Sequence, residues 1–544
     1  MNARLLLTLI LFIFSQPTNA QTKIKIDQFG YLPYATKIAV VSKPVRGFNG
    51  GSFFIPGTDE NNYQVKEINS DKVVFEGTLI AWNAGGIDTL SGDIAWWFDF
   101  TKFNTPGTYY IYDVSTKEKS HPFKIDTAVY NTLEKIVEKY YYYARCGVEK
   151  NTKYAGKNWG DIPCHIHGNN LDKHCRLYST PNDITTNKDL SGGWHDAGDY
   201  NKYVNFAYGA LVDLLLAYKE HPMAFSDNTN IPESGNGIPD ILDEVKYETD
   251  WLLKMQQSNG SVLSVVGVFN YAGASPPSSD SAQRVYGPAT TSATFSTSAM
   301  LALASGVFNT IPKMSSYAKL LKIASSKAYA WAQANPNITF NNSNYNLASG
   351  EQELSPYDVK AVQFGAAVYL YSISGNKSYR DYAENNYADM KPYSQYHWYQ
   401  YEQSLQDALL FYANLSGSYL PTPSVKNNIN GRFIISVSKQ NEESLPAYLH
   451  SKNAYMAYME ASHFTWGSND VLAHNAIIMM NPLTYNLDKV NHTSYKKAIE
   501  GYLHYYHGIN PLDLTYISNM SEYGAENSIT QFYHQWFADG TDYD

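Results

Sequence analysis

SGGWHDAGDYNKY, residues 191–203, places two aspartates, Asp196 and Asp199, three positions apart, with His195 directly before them and Gly192, Gly193 and Gly198 around them. So many glycines make a comfortable helix improbable, because glycine is the residue of tight turns and close backbone approach. A solvated Asp-Gly turn is the plain reading of an isolated pair of this kind. Its surroundings decide whether the two carboxylates do chemistry.

The chain has 544 residues, more than one ordinary core holds, so at least two domains are expected. Hydrophobic residues at 44% and charged residues at 17% describe a folded protein rather than a disordered one. A net charge of −10 without a dense Lys/Arg run argues against nucleic acid or an anionic membrane as partner. The 47 tyrosines read first as core filling and second as a surface suited to stacking on sugar rings.

Residues 1–20 read as a signal peptide: Arg4 is the basic region, LLLTLILFIF (5–14) the apolar run, and TNA ends at Ala20 like a cleavage site. The run is too short to span a bilayer, and no Cys follows Ala20 to carry a lipid. The mature chain is therefore expected to begin near Gln21 and to be secreted, extracellular or periplasmic, as a monomer.

Between 21 and 125, runs such as KIAVVSK, KVVFEGTLIAW, DIAWWFDF and GTYYIYDV are rich in β-branched and aromatic residues and separated by Gly, Pro, Asn and Asp. About seven such runs in about 100 residues fit an immunoglobulin-like β-sandwich. From 126 to 544 the period becomes helical. In TAVYNTLEKIVEKYYYYARCG, Val129, Leu133, Ile136, Val137 and Tyr140 share a face. IPDILDEVKYETDWLLKMQQSNG has Pro239 near its start and Asn259-Gly260 as its expected stop. About ten to twelve helices in all, with a long connection at 257–289, suggest an all-α toroid of helical hairpins.

Paired carboxylates suit hydrolysis of a glycosidic bond. An inverting enzyme needs a carboxylate base to activate water and an acid across the bond, about 6.5–9.5 Å away. Three positions of sequence do not by themselves give Asp196 and Asp199 that separation. They read as a water-side pair, one deprotonating and one orienting the water.

GGWHDAGDYNKY closely resembles the signature of family 9 glycoside hydrolases, the inverting β-glucanases that include many cellulases. IDQFGYLPYATKIAVV resembles the start of the immunoglobulin-like domain found in one branch of that family. IPESGNGIPDILDEVKYETDWLLKMQ, TTSATFSTSAMLALASGVF, FTWGSND and YYHGINPLDLTYISN resemble later blocks, in family order. The resemblance spans about residues 24–519. It implies a six-hairpin (α/α)6 barrel behind the sandwich, with Asp199 as general base and Asp196 holding the nucleophilic water. It implies an endo-β-1,4-glucanase acting on cellulose or a related β-glucan. Exo-action and glucan binding without catalysis are the alternatives, and a surface adhesion module would leave the helical region unexplained.

The family's acid is a glutamate later than the YYHGINPLDLTYISN block. Glu522 and Glu526 come too early and lack its surroundings, so the acid is expected beyond Asp544 and the chain is expected to be incomplete at its C-terminus. Without it, leaving-group protonation, about 10²–10⁴-fold in rate, would be lost. Where the family has a His-His-Arg sugar-contacting block this chain reads FYHQWF, so His534 and Trp536 are the candidates for substrate binding there, or they pack the barrel rim.

The three cysteines, Cys146, Cys164 and Cys175, allow either one disulfide or a metal. The resemblance implies a structural zinc held by Cys146, Cys164, His165 and His195; a Cys164–Cys175 or Cys146–Cys164 disulfide is the alternative. Calcium is implied too, with no site assigned: Asp358, next to Val359, reads instead as the acid of a helix start. In WGSN (466–469), Ser468 or Asn469 is expected to cap the next helix, and Trp466 to pack rather than line the cleft, the other reading it allows.

Overall fold

A computed structural model describes residues 23–530, apart from 52–53, 272–273 and 349. The leader at 1–20 and the residues His534 and Trp536 lie outside that range. The chain divides into two compact units. Among the described residues, one comprises 23–129 together with Asn453–Ala457 and Leu503–Thr530; the other comprises Tyr130–Lys452 and Tyr458–Tyr502.

The first unit is built on two sheets. One holds β1 (Ile24–Lys25), β3 (Ile38–Pro44), β7 (Asp93–Asp99) and β6 (Ile80–Ala81) in that spatial order. The other runs β2 (Gly30–Tyr31), β9 (Phe123–Ile125), β8 (Gly107–Asp113), β4 (Tyr63–Glu67), β5 (Val73–Gly77). β3 and β7 pair antiparallel along their whole length, from Ile38 opposite Asp99 to Pro44 opposite Asp93. The core is aromatic: Tyr31 meets Phe100 at 5.4 Å and Phe123 at 5.6 Å, edge to face, and Phe98 stacks on Phe100 at 5.9 Å.

Segments far along the chain complete this unit through the partners they offer buried acids. Asp88 Oδ2 accepts from Ala454 N at 2.8 Å, and Trp97 Nε1 donates to Ala454 O at 2.7 Å. Asp27 Oδ1 accepts from the Phe29 and Gly30 amides, both at 2.9 Å. Its Oδ2 meets His504 Nδ1 and His507 Nδ1, both at 2.8 Å. Burial alone would raise this carboxyl, but the two imidazoles hold it down at about 2.

The second unit is helical. Its hairpins are visible in α6 (Thr291–Phe308) against α7 (Ser315–Ala334), α8 (Pro356–Ser374) against α9 (Lys377–Asn386), and α11 (Gln403–Ala413) against α12 (Pro423–Ile435). α6 is apolar or small on every side and all but one of its residues are buried, the composition of an inner helix that neighbours approach closely. It packs on α8 and on α4 (Ala207–Glu220) as well as on α7, and α8 packs on α11. α5 (Asp240–Met255) ends at Met255, before the Asn259-Gly260 expected to stop it, because Gln256 is extended and pairs with Val262. The 257–289 connection is not a bare loop. It contributes β12 (Val265–Gly267) and β13 (Val285–Tyr286) to a small sheet with β10 (Arg176–Leu177) and β11 (Lys202–Tyr203). β11 is the end of the glycine-rich stretch, so that sheet fixes one side of the turn.

The tyrosines answer to the plain reading: Tyr31, Tyr63, Tyr142, Tyr200, Tyr369, Tyr412, Tyr455 and Tyr495 are among the largest fully buried side chains. Trp466, expected to pack, is instead 87% exposed. The helix after it, Ser468–Thr484, begins at Ser468 with Gly467 in the cap position at φ +80°, and no side chain caps it. At α8 the reading of Asp358 agrees with its geometry: Ser355 Oγ accepts from Asp358 N at 3.2 Å and donates to Asp358 Oδ2 at 2.6 Å.

Candidate active site and metal centre

The turn at 191–203 is pinned from behind. Gly192 and Gly193 take positive φ, +94° and +77°. A Cβ on Gly193 would stand 2.6 Å from Trp251 Cγ, so this position admits no side chain. Arg145 and Trp194 form an antiparallel bridge, with Cys146 N donating to Gly193 O and His195 N to Ala144 O, each at 2.8 Å. Trp194 N donates to Glu248 Oε2 at 2.7 Å, and burial pushes that carboxyl up to about 8.

Lys202 is buried, and its ammonium reaches Asp172 Oδ2 at 2.6 Å, Leu190 O at 2.8 Å and Gly192 O at 2.7 Å. Arg284 Nε meets Asp172 Oδ1 at 2.9 Å, and its Nη2 donates to Tyr200 O at 2.7 Å. Burial would raise the Asp172 carboxyl, but the two cations hold it far below the ordinary range. Asp172, Lys202, Arg284 and Glu248 had no signal in the sequence, since each is a lone charge well separated from its partners.

The front of the turn carries the two aspartates. Asp199 Oδ1 accepts from Asn201 N at 3.1 Å; its Oδ2 accepts from Asn201 Nδ2 at 3.3 Å and from the Tyr203 hydroxyl at 3.4 Å. Asp196 is open to solvent, while its backbone N donates to Asn201 O at 2.9 Å. Protein crowding at longer range and the Asp199 charge push the Asp196 carboxyl up to about 6. The two carboxylates therefore feel each other, as a shared water site requires. Tyr140, 50% exposed, and Tyr271, 56% exposed, stand within electrostatic reach of Asp196, and Tyr271 of Asp199 as well. Both are flat, accessible faces beside the pair, and the sequence reading missed both because tyrosine is common throughout the chain. Glu526 lies in the other unit, 3.3 Å from His121.

Behind the aspartates, Cys146, Cys164, His165 and His195 are all buried and bring one ligand atom each to within 4.8 Å of one another. Cys146 Sγ is 3.7 Å from His165 Nδ1, and Cys164 Sγ is 3.9 Å from His195 Nε2. Ligands about 2.3 Å (S) and about 2.1 Å (N) from one tetrahedral ion lie about 3.5 Å apart, so the group can close on a metal with shifts of a few tenths of an ångström. His165 Nε2 contacts Asp280 Oδ2 at 3.0 Å, the carboxylate support usual behind a ligating imidazole. Contact with Cys146 lowers the Cys164 thiol to about 7, whereas burial raises Cys146. All three cysteines are free, and Cys175 is buried outside the cluster.

A β-sandwich followed by helical hairpins, with paired carboxylates on a pinned turn, defines a multidomain glycoside hydrolase. Residues 130–543 match the family model of glycosyl hydrolase family 9, and residues 19–118 match the cellulase N-terminal ig-like domain. The chain belongs to glycosyl hydrolase family 9, and its helical unit is the family's (α/α)6 barrel. It is similar to a cellodextrinase of Butyrivibrio fibrisolvens, 28% identical over 522 residues that cover 93% of this chain and 86% of the relative. It is also 28% identical to endoglucanase D of Acetivibrio thermocellus over 482 residues, covering 86% of this chain and 69% of that one. The solved structure of a metagenome-derived glycoside hydrolase family 9 endoglucanase superposes with a TM-score of 0.78 at 26% identity, covering 95% of this chain and 88% of the other.

Proposed function

We propose that this chain is a secreted endo-β-1,4-glucanase that cuts cellulose or a related β-glucan with inversion. The observation that supports it best is the Asp196–Asp199 pair, two interacting carboxylates on a turn braced from behind. Asp199 is the general base. Three donors from Asn201 and Tyr203 aim its carboxylate, leaving lone pairs to accept a proton from water. Asp196 accepts the water's second hydrogen and orients it toward the anomeric carbon. As the glycosidic bond breaks, its electron pair goes to the leaving oxygen, which takes a proton from a general acid or from solvent, while the water's proton passes to Asp199 and the hydroxyl adds from the face opposite the leaving group, which gives inversion. Tyr140 and Tyr271 are placed to stack on sugar rings. No described residue is assigned to protonate the leaving group. Among the described residues no helix is long and apolar enough to cross a membrane, and secretion is read from the leader.

Asp199→Ala in the full-length protein tests the base. Hydrolysis of carboxymethylcellulose should fall by about 10³-fold or more, with glucan binding by calorimetry unchanged. Retained turnover would sink the assignment. An early fall in viscosity relative to reducing ends supports endo-action, and products released as α-anomers support inversion.

The Cys₂His₂ group is proposed to hold a structural zinc, supported by its two thiolates, two imidazoles and tetrahedral spacing. Bound there, zinc would cross-link the 146, 164–165 and 195 segments and brace the catalytic turn without touching substrate. Elemental analysis should find one zinc per chain, lost in Cys164→Ser. No zinc, with two cysteines resistant to alkylation under denaturation, would favour a disulfide.

A further inference from the structure

A second cluster of ligating side chains lies elsewhere in the helical unit. Glu443 precedes the short helix Leu445–Leu449, Glu460 and His463 flank the turn before Trp466, and Gln400 precedes α11. Glu443, Glu460 and His463 bring their ligand atoms within 4.8 Å of one another. Glu443 Oε1 is 2.8 Å from His463 Nδ1 and also accepts from Glu460 N at 2.6 Å. Gln400 Nε2 is likewise 2.8 Å from His463 Nδ1.

As the Gln400 amide stands, its N–H and the Glu443 carboxylate compete for one position, His463 Nδ1. Nδ1 offers either one proton or one lone pair. If it donates to Glu443, it turns N–H toward the Gln400 N–H; if it accepts from Gln400, its lone pair faces a carboxylate. Turning the Gln400 amide over puts its carbonyl oxygen toward the imidazole instead. That oxygen, on a side chain only 2% exposed, has no hydrogen-bond partner where it now points. Among the described residues neither Glu443 nor Glu460 receives an ion pair from Lys or Arg. Two acidic side chains, an imidazole and an unpartnered buried amide oxygen are thus gathered with no Lys or Arg among them.

We propose that Glu443, Glu460, His463 and the Gln400 amide oxygen form a second metal site, for a divalent cation such as Mn²⁺ or Zn²⁺. The oxygen-rich donor set distinguishes it from the thiolate cluster. The spacing fits: two ligands at right angles, each about 2.1 Å from one ion, lie about 3 Å apart, against the 2.8 Å between Glu443 Oε1 and His463 Nδ1. An ion there removes the conflict at Nδ1, neutralises the carboxylates and ties three loops together. One of them presents Phe464 and Trp466, 46% and 87% exposed.

The test is a Mn²⁺ titration of the full-length protein followed by electron paramagnetic resonance, since Mn²⁺ competes poorly for thiolates. Wild type should take up one Mn²⁺ with a Kd below about 0.1 mM, a value typical of a built carboxylate site, and its thermal midpoint should rise on binding. His463→Ala should weaken uptake at least tenfold. Glu460→Ala, at an exposed position that the fold tolerates, should do the same while the metal-free thermal midpoint stays that of wild type. Absence of saturable uptake, or equal uptake by wild type and Glu460→Ala, would overturn the site and leave a Glu443–His463 ion pair.

Discussion

Asp196 and Asp199 differ in how the protein treats them. Asp199 is held by donors on both oxygens, whereas Asp196 is crowded and faces the Asp199 charge. A carboxyl pushed up to about 6 changes charge in a working pH range. If Asp196 works as a carboxylate, kcat/KM should fall as pH drops through about 6, where it becomes protonated. The limb should move in Asp196→Asn, which cannot titrate. A pH–rate profile of both proteins checks this, and an acid limb unchanged in the variant would assign it to another group.

Elements matter through what they hold behind the turn. β11 ends the stretch that carries the aspartates, and Lys202 on it turns inward to Asp172. Arg284, just before β13, completes the ion triplet. Replacing Asp172 leaves two buried cations unpaired, a change worth about 3–5 kcal/mol. Asp172→Asn should therefore lose about that much stability in urea, and should lose glucan hydrolysis well below the unfolding midpoint because Lys202, which holds Gly192 O and Leu190 O, loses the charge that positions it. The same substitution leaves Asp196 and Asp199 chemically intact, so an active variant would show that the turn holds its geometry without the triplet.

Across the whole molecule, several buried acids are pushed above their ordinary values: Asp407 to about 7, Glu248 to about 8 and Glu138 to about 9, each chiefly by burial. An acid with a raised pKa in the folded state keeps its proton when the unfolded chain has lost it. Folding then binds protons, and stability falls as pH rises, by about 1.4 kcal/mol per pH unit for each such group while it remains protonated. Asp27, held at about 2, acts the other way but only below about pH 4. His195, pushed down to about 4 by burial, costs stability only below about 6.5. The thermal midpoint should thus decline between pH 6.5 and 9. Glu248→Gln should flatten that decline, and a midpoint that rose over this range would contradict the burial of these acids.

The glycine-rich stretch, the β-branched and aromatic runs between 21 and 125 and the helical period after them carried the architecture, because each is a local pattern that short-range chemistry fixes. α5 was legible at its start, where Pro239 stands just before Asp240, but it ends at Met255, short of the Asn259-Gly260 expected to stop it. Two- and three-residue strands such as β10–β13 were not legible, because they are too short to show a period and exist only through pairing across about 20 to 110 positions of chain. The four Cys and His positions came from a resemblance, but their convergence depends on the Arg145–Trp194 bridge. Asp172, Arg284, Asp280 and Glu248 could not be foreseen, since a lone charged residue declares its role only when folding buries it beside its partner. Trp466 shows the converse: an apolar residue read as core stands in solvent, because nothing in its local sequence records which side of the loop faces outward.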